Sequence, residues 1–391
     1  MSAERELTAQ NAQATQKRQK RAIRLGRMDL PFFIIVIILM TFGLVMMFSA
    51  SYAWGYYESG DSFIYVRKQL LLAALGIVAM LVISVIDFNH LRRPIVVFGL
   101  FGISVALLAM VLVLPSSGAK RWIDLGFVNF QPSEVAKLAI IVLFAYLISV
   151  NQHRIKEFKY GVVPFLAALG LVAALVIAEP HLSGTIIICA IGIVMMFVGG
   201  VRMKHIMGIA LVGIIALVLA VLALMYFKGT GYFMERIKGF VDPMSDPTDT
   251  TWQTYQSLIT IGSGGVLGLG LGNSMQKYRF LPESHNDFVF AIVCEELGFV
   301  GAMLIIILFA LFIFRGFYIA SKAPNKFSMM VVVGITVQIG LQALLNIAVV
   351  TNSVPNTGIS LPFFSYGGTA LLMQLAEVGI VLNISRQSNL E

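Results

Sequence analysis

The sequence predicts an all-α protein, a polytopic membrane bundle of ten transmembrane helices with one large extracytoplasmic loop. Three observations predict it. The 391 residues are 58% hydrophobic and 12% charged, against about 25% charged in ordinary soluble domains. Apolar residues come in runs of about twenty, the length that crosses a hydrocarbon core as a helix, whereas the strands of a membrane barrel alternate over segments of about ten. Since helices and closed barrels are the structures that satisfy every backbone group in lipid, run length decides between them. Finally, Lys and Arg alternate in density from one connection to the next.

The runs are 31–51, 69–87, 94–114, 132–150, 161–179, 182–199, 205–227, 287–314, 327–351 and 359–384. An even number of spans puts both termini on one side. The termini and the loops 88–93, 151–160, 200–204 and 315–326 hold 18 Lys and Arg in about 70 residues, against 9 in about 102 on the other side. The positive-inside rule makes the termini cytoplasmic. Residues 1–30 are then a basic cytoplasmic tail expected to be disordered, 31–384 the membrane domain, and 385–391 a short cytoplasmic end. The tail is too long a preface for a cleaved signal peptide, and the 21-residue first span is expected to stay as an anchor. The net charge of +8 follows from this topology, adds some attraction to anionic lipid, and gives no support to a nucleic-acid partner. Cys189 and Cys294 fall inside spans and read as small packing residues.

Nearly all connections are short, and the exception is 228–286. Long structured loops in compact proteins are usually functional. Its first half is charged and rich in Pro and Asp ("VDPMSDPTDTTW"); its second is apolar and rich in glycine ("LITIGSGGVLGLGLG"). Glycine permits close approach, so the second half is expected to dip into the bilayer or pack on the bundle. The run contains a loose G-x-G-x-x-G, but that fingerprint binds dinucleotides only between a strand and a helix of a βαβ unit, which is missing here. A second outer loop, 115–131, supplies Lys120, Arg121, Trp122 and Asp124.

The stretch "LPESHNDFVFAIVCEELGF" loads four carboxylates and a histidine onto the entrance of the eighth span. Asp287 at its start reads either as a helix N-cap or as a general base at the membrane surface. Its company, Glu283, His285 and the basic "KYR" of Lys277 to Arg279, favours the base, because nearby cations and a helix N-terminus keep a carboxylate ionised. Glu295 and Glu296 lie roughly 12–13 Å deeper at helical rise. They should face the bundle interior, either paired structurally or on an ion path, with pairing favoured. Glu134 and Lys137 are i, i+3 neighbours that serve as an intrahelical pair or as substrate contacts. The outer cations Lys120, Arg121, Lys277 and Arg279 run against the positive-inside trend and read as solvated loop residues or as a diphosphate clamp. Gln338, Gln342 and Asn346 form one polar stripe, which interhelical hydrogen bonding explains at least as well as a cavity wall. Pro362, Gly367 and Gly368 predict a broken helix in the first third of the tenth span.

Four motifs in order, "GAKRWIDLG…FQPSEVAKL" (118–138), "GSGGVLGLGLG" (262–272), "LPESHNDFVFAIVCEELG" (281–298) and "PNTGISLPFFSYGG" (355–368), resemble the shape, elongation, division and sporulation (SEDS) family typified by RodA and FtsW. The resemblance covers everything after the basic tail, and its wording is closer to the division branch. It implies polymerisation of lipid II, a disaccharide-pentapeptide on undecaprenyl diphosphate, into glycan strands at the outer face of the bacterial cytoplasmic membrane, at the septum or the side wall. Undecaprenyl diphosphate is then a product. The family's essential carboxylate maps onto Asp287, with Lys120, Arg121, Trp122, Glu134, Lys137, Lys277, Arg279, Glu283, His285 and Ser365 as candidate substrate contacts. One departure is visible: where many relatives read "QPDLGT", this chain has "EPHLSGT", with His181 in place of the acid. The residues point to no cofactor and no metal-ligand set; a divalent cation, Mg or Mn, bridging the diphosphate is the one inorganic helper the chemistry admits. Family behaviour implies a class B penicillin-binding transpeptidase as partner, with other divisome or elongasome proteins. A lipid II flippase and a non-catalytic scaffold are the rival readings.

Overall fold

The computed structural model describes residues 26–114, 121–124, 126, 129–179, 181–228, 239–246 and 251–387. Proline and capping chemistry set the helix starts. The first, α1 (Leu30–Ser59), begins behind Asp29, whose carboxylate accepts from Phe32 N at 2.9 Å, and it stops on Gly60 in the left-handed conformation. There follow α2 (Ile64–Ile83), α3 (Pro94–Val113), α4 (Pro132–Val150), α5 (Val163–Ala178), α6 (Leu182–Gly199) and α7 (Met203–Lys228). Proline stands in the first turn of α1, α3, α4 and α5, where its missing N–H costs nothing. A short helix, α8 (Trp252–Ser263), leads into α9 (Val289–Ser321), α10 (Lys326–Val350) and α11 (Gly368–Gln387). The described strands are β1 (Ile123–Asp124) and β2 (Asn129–Phe130), an antiparallel hairpin pairing Ile123 with Phe130.

Nine helices among the described residues are long and apolar enough to cross a membrane. The expected seventh span, 205–227, falls within α7, most of whose side chains beyond Gly213 lie outside the described residues. Three boundaries differ most from expectation, while α2 lies four to five residues earlier than the expected span. The first helix runs on to Ser59 and α9 to Ser321, because polar residues at a helix end prolong it as readily as apolar ones once it leaves lipid. The last helix starts at Gly368, not at 359. Phe363 sits at φ 66°, and the chain before Gly368 is irregular. Its backbone groups are satisfied by protein: Leu361 N donates to Ser365 Oγ, and Phe363 N to Gln374 Oε1.

Helices α4, α10 and α11 form the centre of the bundle, each with more than 70% of its apolar window buried, while α3 lies at the periphery with 22%. At the end where the chain enters, called the tail end here, Asp29 binds Arg315 of α9 through two nitrogens, and its own N–H donates to Ser385 Oγ of α11. The long connections gather at the other, the loop end.

The glycine-rich stretch packs on the bundle. Inside α9, Gly298 has φ 66° and ψ −166°, a region open in practice to glycine alone, and the helix is interrupted there. The connection after α8 mends the interruption: Leu269 N and Gly270 N donate to Glu295 O and Glu296 O, while Phe299 N and Val300 N donate to Gly265 O and Val266 O. A Cβ on Gly298 would stand 2.3 Å from Gly268 N, so both glycines are required by the approach itself.

Candidate active site

At the loop end a cavity of about 650 Å³ opens between α2, α4, α6, α10, α11 and the connections that precede α4 and α9. That is the volume of a site for a substantial ligand. Its wall brings together Lys68, Arg121, Trp122, Asp124, Glu134, Lys137, His181, Glu283, Asp287 and Gln342.

Asp287 is not a helix cap. The N-cap position of α9 belongs to Phe288, and no side chain caps it. Asp287 is instead held from behind by a row of backbone bonds. Its own carbonyl accepts from Asn346 Nδ2 at 2.7 Å, the Asn286 carbonyl from Ser365 Oγ at 2.6 Å, and the His285 carbonyl from Tyr366 N at 2.8 Å. Asn346 also donates to Ile359 O at 2.6 Å. Three consecutive carbonyls are thus fixed by α10 and by the irregular entry to α11, and the carboxylate stands on the cavity wall beside Gly358, where a Cβ would stand 3.2 Å from Oδ2. Glu283, at φ 53°, closes the turn before it: Asn286 Nδ2 donates to its carboxylate, and Asn286 N and Phe288 N to its carbonyl.

Three cations, Lys68, Arg121 and Lys137, share the wall with Asp287. Lys137 and Glu134 form a pair at 2.8 Å, with side chains no more than 7% exposed, so these two residues are at once an intrahelical pair and part of the wall. Ser183 and Gly184, in the first turn of α6, also line the cavity, Ser183 Oγ donating to Gly358 O beside Asp287, and unpaired N–H groups give a helix start its partial positive charge. Behind the wall lies Glu179. Burial pushes its carboxyl up to about 7, opposed by the charge of Arg121. Burial drives His181 down to about 3, reinforced by Arg121 and Lys137, so the imidazole is neutral at physiological pH.

A pH dependence follows. Above about pH 7 Glu179 ionises and offsets the field of Arg121; below it the carboxyl is neutral and Arg121 acts undiminished on an anionic ligand. The KM for a diphosphate-bearing substrate is expected to rise several-fold as pH passes upward through 7. Glu179→Gln should flatten that limb, and an unchanged profile in the variant would disprove the link.

Of the residues expected from sequence, Asp287, Glu283, Arg121, Trp122, Glu134 and Lys137 line the cavity, while Lys120 lies outside the described residues. Four others do not line it. Lys277, expected in a diphosphate clamp, is 2% exposed and bound to Glu296 Oε1 (3.2 Å), Ser49 Oγ and Gly272 O, which corrects that expectation. Arg279 is stacked over Trp54 and Tyr57, its guanidinium 5.2 and 5.8 Å from the ring centres. His285 packs among Tyr65, Trp54 and Tyr366, and burial lowers its pKa against the pull of Glu283 and Glu58. Ser365 is used up in bonding Asn286 and Leu361. Glu295 and Glu296 are paired as favoured: Glu295 with Ser274 and Met275 N, Glu296 with Lys277 and Ser49. Lys68, missed by sequence reasoning, carried the same signal as Arg121, a cation against the positive-inside trend at the mouth of a span.

Among the described residues no three His, Cys, Asp or Glu side chains come together as a metal-ligand set.

A family described as cell cycle protein, comprising FtsW, RodA and SpoVE, matches residues 29–390. The chain belongs to this family. It is 40% identical to the stage V sporulation protein E of Bacillus subtilis (strain 168) over 92% of this chain and 97% of that protein. It is 36% identical to the probable peptidoglycan glycosyltransferase FtsW of Geobacter sp. (strain M18), over 91% and 96%. Among solved structures it is similar to one described as "Structural coordination of polymerization and crosslinking by a peptidoglycan synthase complex", with a TM-score of 0.74 at 27% identity, covering 93% of this chain and 99% of that one. The rod shape determining protein RodA of Thermus thermophilus aligns with a TM-score of 0.67 at 26% identity over 93% and 98%. The FtsW/RodA/SpoVE chain described here is thus a multi-pass membrane protein with a polar cavity at one end of its bundle.

Proposed function

We propose that this protein is a peptidoglycan glycosyltransferase that polymerises lipid II, working at the extracytoplasmic face of the bacterial cytoplasmic membrane with both termini in the cytoplasm. Relatives named as glycosyltransferases support the activity. The observation that carries the site assignment is the cavity whose wall Asp287 shares with Arg121, Lys68 and Lys137.

The donor sugar is α-linked to diphosphate and the new linkage is β, so one inverting displacement suffices and no carboxylate nucleophile is needed. Asp287 takes the proton from the acceptor 4-hydroxyl as its oxygen bonds to the donor anomeric carbon; the bond from that carbon to the diphosphate oxygen breaks. The departing undecaprenyl diphosphate carries away its charge unprotonated. Arg121, Lys68, Lys137 and the α6 start are the groups on the wall that favour it. Holding both lipid-borne substrates in one cavity supplies rate through orientation. A divalent cation (Mg or Mn) travelling on the diphosphate is tested by chelation.

Purified protein in liposomes given labelled lipid II tests the reading: glycan strands with release of undecaprenyl diphosphate are expected. Leaflet exchange without strands would identify a flippase, and neither activity a scaffold. The similarity to a synthase complex that coordinates polymerization and crosslinking supports a class B penicillin-binding transpeptidase as partner. Relatives named stage V sporulation protein E and FtsW support a role in division or shape maintenance, with sporulation as a further setting.

A further inference from the structure

Ser133 and Gln342, 1% and 3% exposed, are residues of the cavity wall, and their buried Oγ and Oε1 atoms bond to no protein group. Buried polar atoms are rarely left so, and an orphan in a cavity wall points to a ligand that completes it. The two belong to one level of the bundle. Helices α4 and α10 run antiparallel and touch where a Cβ on Gly334 would stand 2.5 Å from Ile141 Cγ2. Eight residues toward the loop end from that contact lie Ser133 on α4 and Gln342 on α10, each about 12 Å along its axis.

Their depth relative to Asp287 is also fixed. Asn346 grips the Asp287 carbonyl, and Gln342 lies one turn, about 6 Å, further in on the same helix. An acceptor sugar presenting its 4-hydroxyl to Asp287 carries its C2 substituent two ring carbons away, which reaches that level when the ring points inward. In the sugars of peptidoglycan this substituent is an acetamido group: one N–H donor, one carbonyl acceptor and a methyl. The side-chain amide of Gln342 and the hydroxyl of Ser133 each accept and donate. Ile187 and Ile359, both 3% exposed and both on the cavity wall, offer the methyl an apolar seat.

We propose that Gln342 and Ser133 form a subsite for the 2-acetamido group of the acceptor sugar, fixing which carbohydrate Asp287 deprotonates. The inference rests on the glycosyltransferase reading and adds a specificity determinant to it. A sugar with a hydroxyl at C2 would displace water from the subsite without replacing its hydrogen bonds.

The test compares lipid II with a synthetic analogue in which glucose replaces N-acetylglucosamine, in proteoliposomes of wild type, Ser133→Ala, Gln342→Leu and the double variant. Wild type is expected to prefer lipid II by about 10-fold or more in kcat/KM, as sites built to hydrogen-bond a substrate do. The double variant should lose most of that preference. A preference unchanged in the variants overturns the subsite. So does a wild type that polymerises both substrates equally, although the glycosyltransferase reading then stands; a wild type that polymerises neither overturns both. Should the variants fail to fold, competition against the wild type decides: free N-acetylglucosamine should inhibit polymerisation at concentrations where glucose does not, and equal inhibition refutes the proposal.

Discussion

Asp287→Asn is expected to stop glycan polymerisation, lowering turnover by about 10²- to 10⁴-fold, the range supplied by a positioned general base. The substitution keeps the shape of the side chain and removes its basicity. It leaves untouched the carbonyl bonds that hold 285–287 in place, since these use backbone oxygens only. The thermal midpoint of the variant in detergent should therefore match wild type. Single-turnover assays with preloaded lipid II separate the chemical step from binding, and the loss should appear there. An asparagine variant that builds strands at the normal rate would remove Asp287 from the mechanism.

The second large effect is on stability. Glu296 is fully buried beside Lys277, and its carboxylate also accepts from Ser49 Oγ and Ser274 N. Lys277→Met strands this carboxylate in a low-dielectric interior, which costs about 3–5 kcal/mol when one member of a buried pair is deleted. Replacing both members, Lys277→Met with Glu296→Met, should recover most of that loss, because a well-packed apolar pair substitutes for a buried ion pair with little net change. Reversible unfolding of wild type, Lys277→Met, Glu296→Met and the double variant gives the coupling energy. Were the single lysine variant as stable as wild type, the pair would be dispensable.

The outline of the bundle was legible because lipid enforces run length, and each run had to be a helix. The polar entrance at 281–288 was legible for a related reason: few charges occur in such a chain, so a cluster of them stands out. What could not be read was direction. Lys277 and Arg121 look alike as cations in outer loops, yet one is turned inward to Glu296 and the other lines the cavity with Asp287. That choice depends on how residues from α1, the 264–278 connection and α9 meet, which no local pattern encodes. Ser365 and Asn346 show the same limit from the other side: their types suited a substrate contact or an interhelical bond, and the structure employs both to fix backbone carbonyls. His181, noted only as a departure from family wording, takes a place on the wall that its sequence neighbours do not explain.

The interruption of α9 at Gly298 separates two mechanical regimes. Residues 299–321 form a long apolar rod that must follow the bilayer, tilting as the hydrocarbon thickens or thins. Residues 289–297 are laced to the glycine-rich connection and to α1. The same connection also bonds Phe299 and Val300, so the joint is braced on both sides and a tilt of the rod is passed through it toward the reactive aspartate, tying the height of the chemistry to membrane thickness.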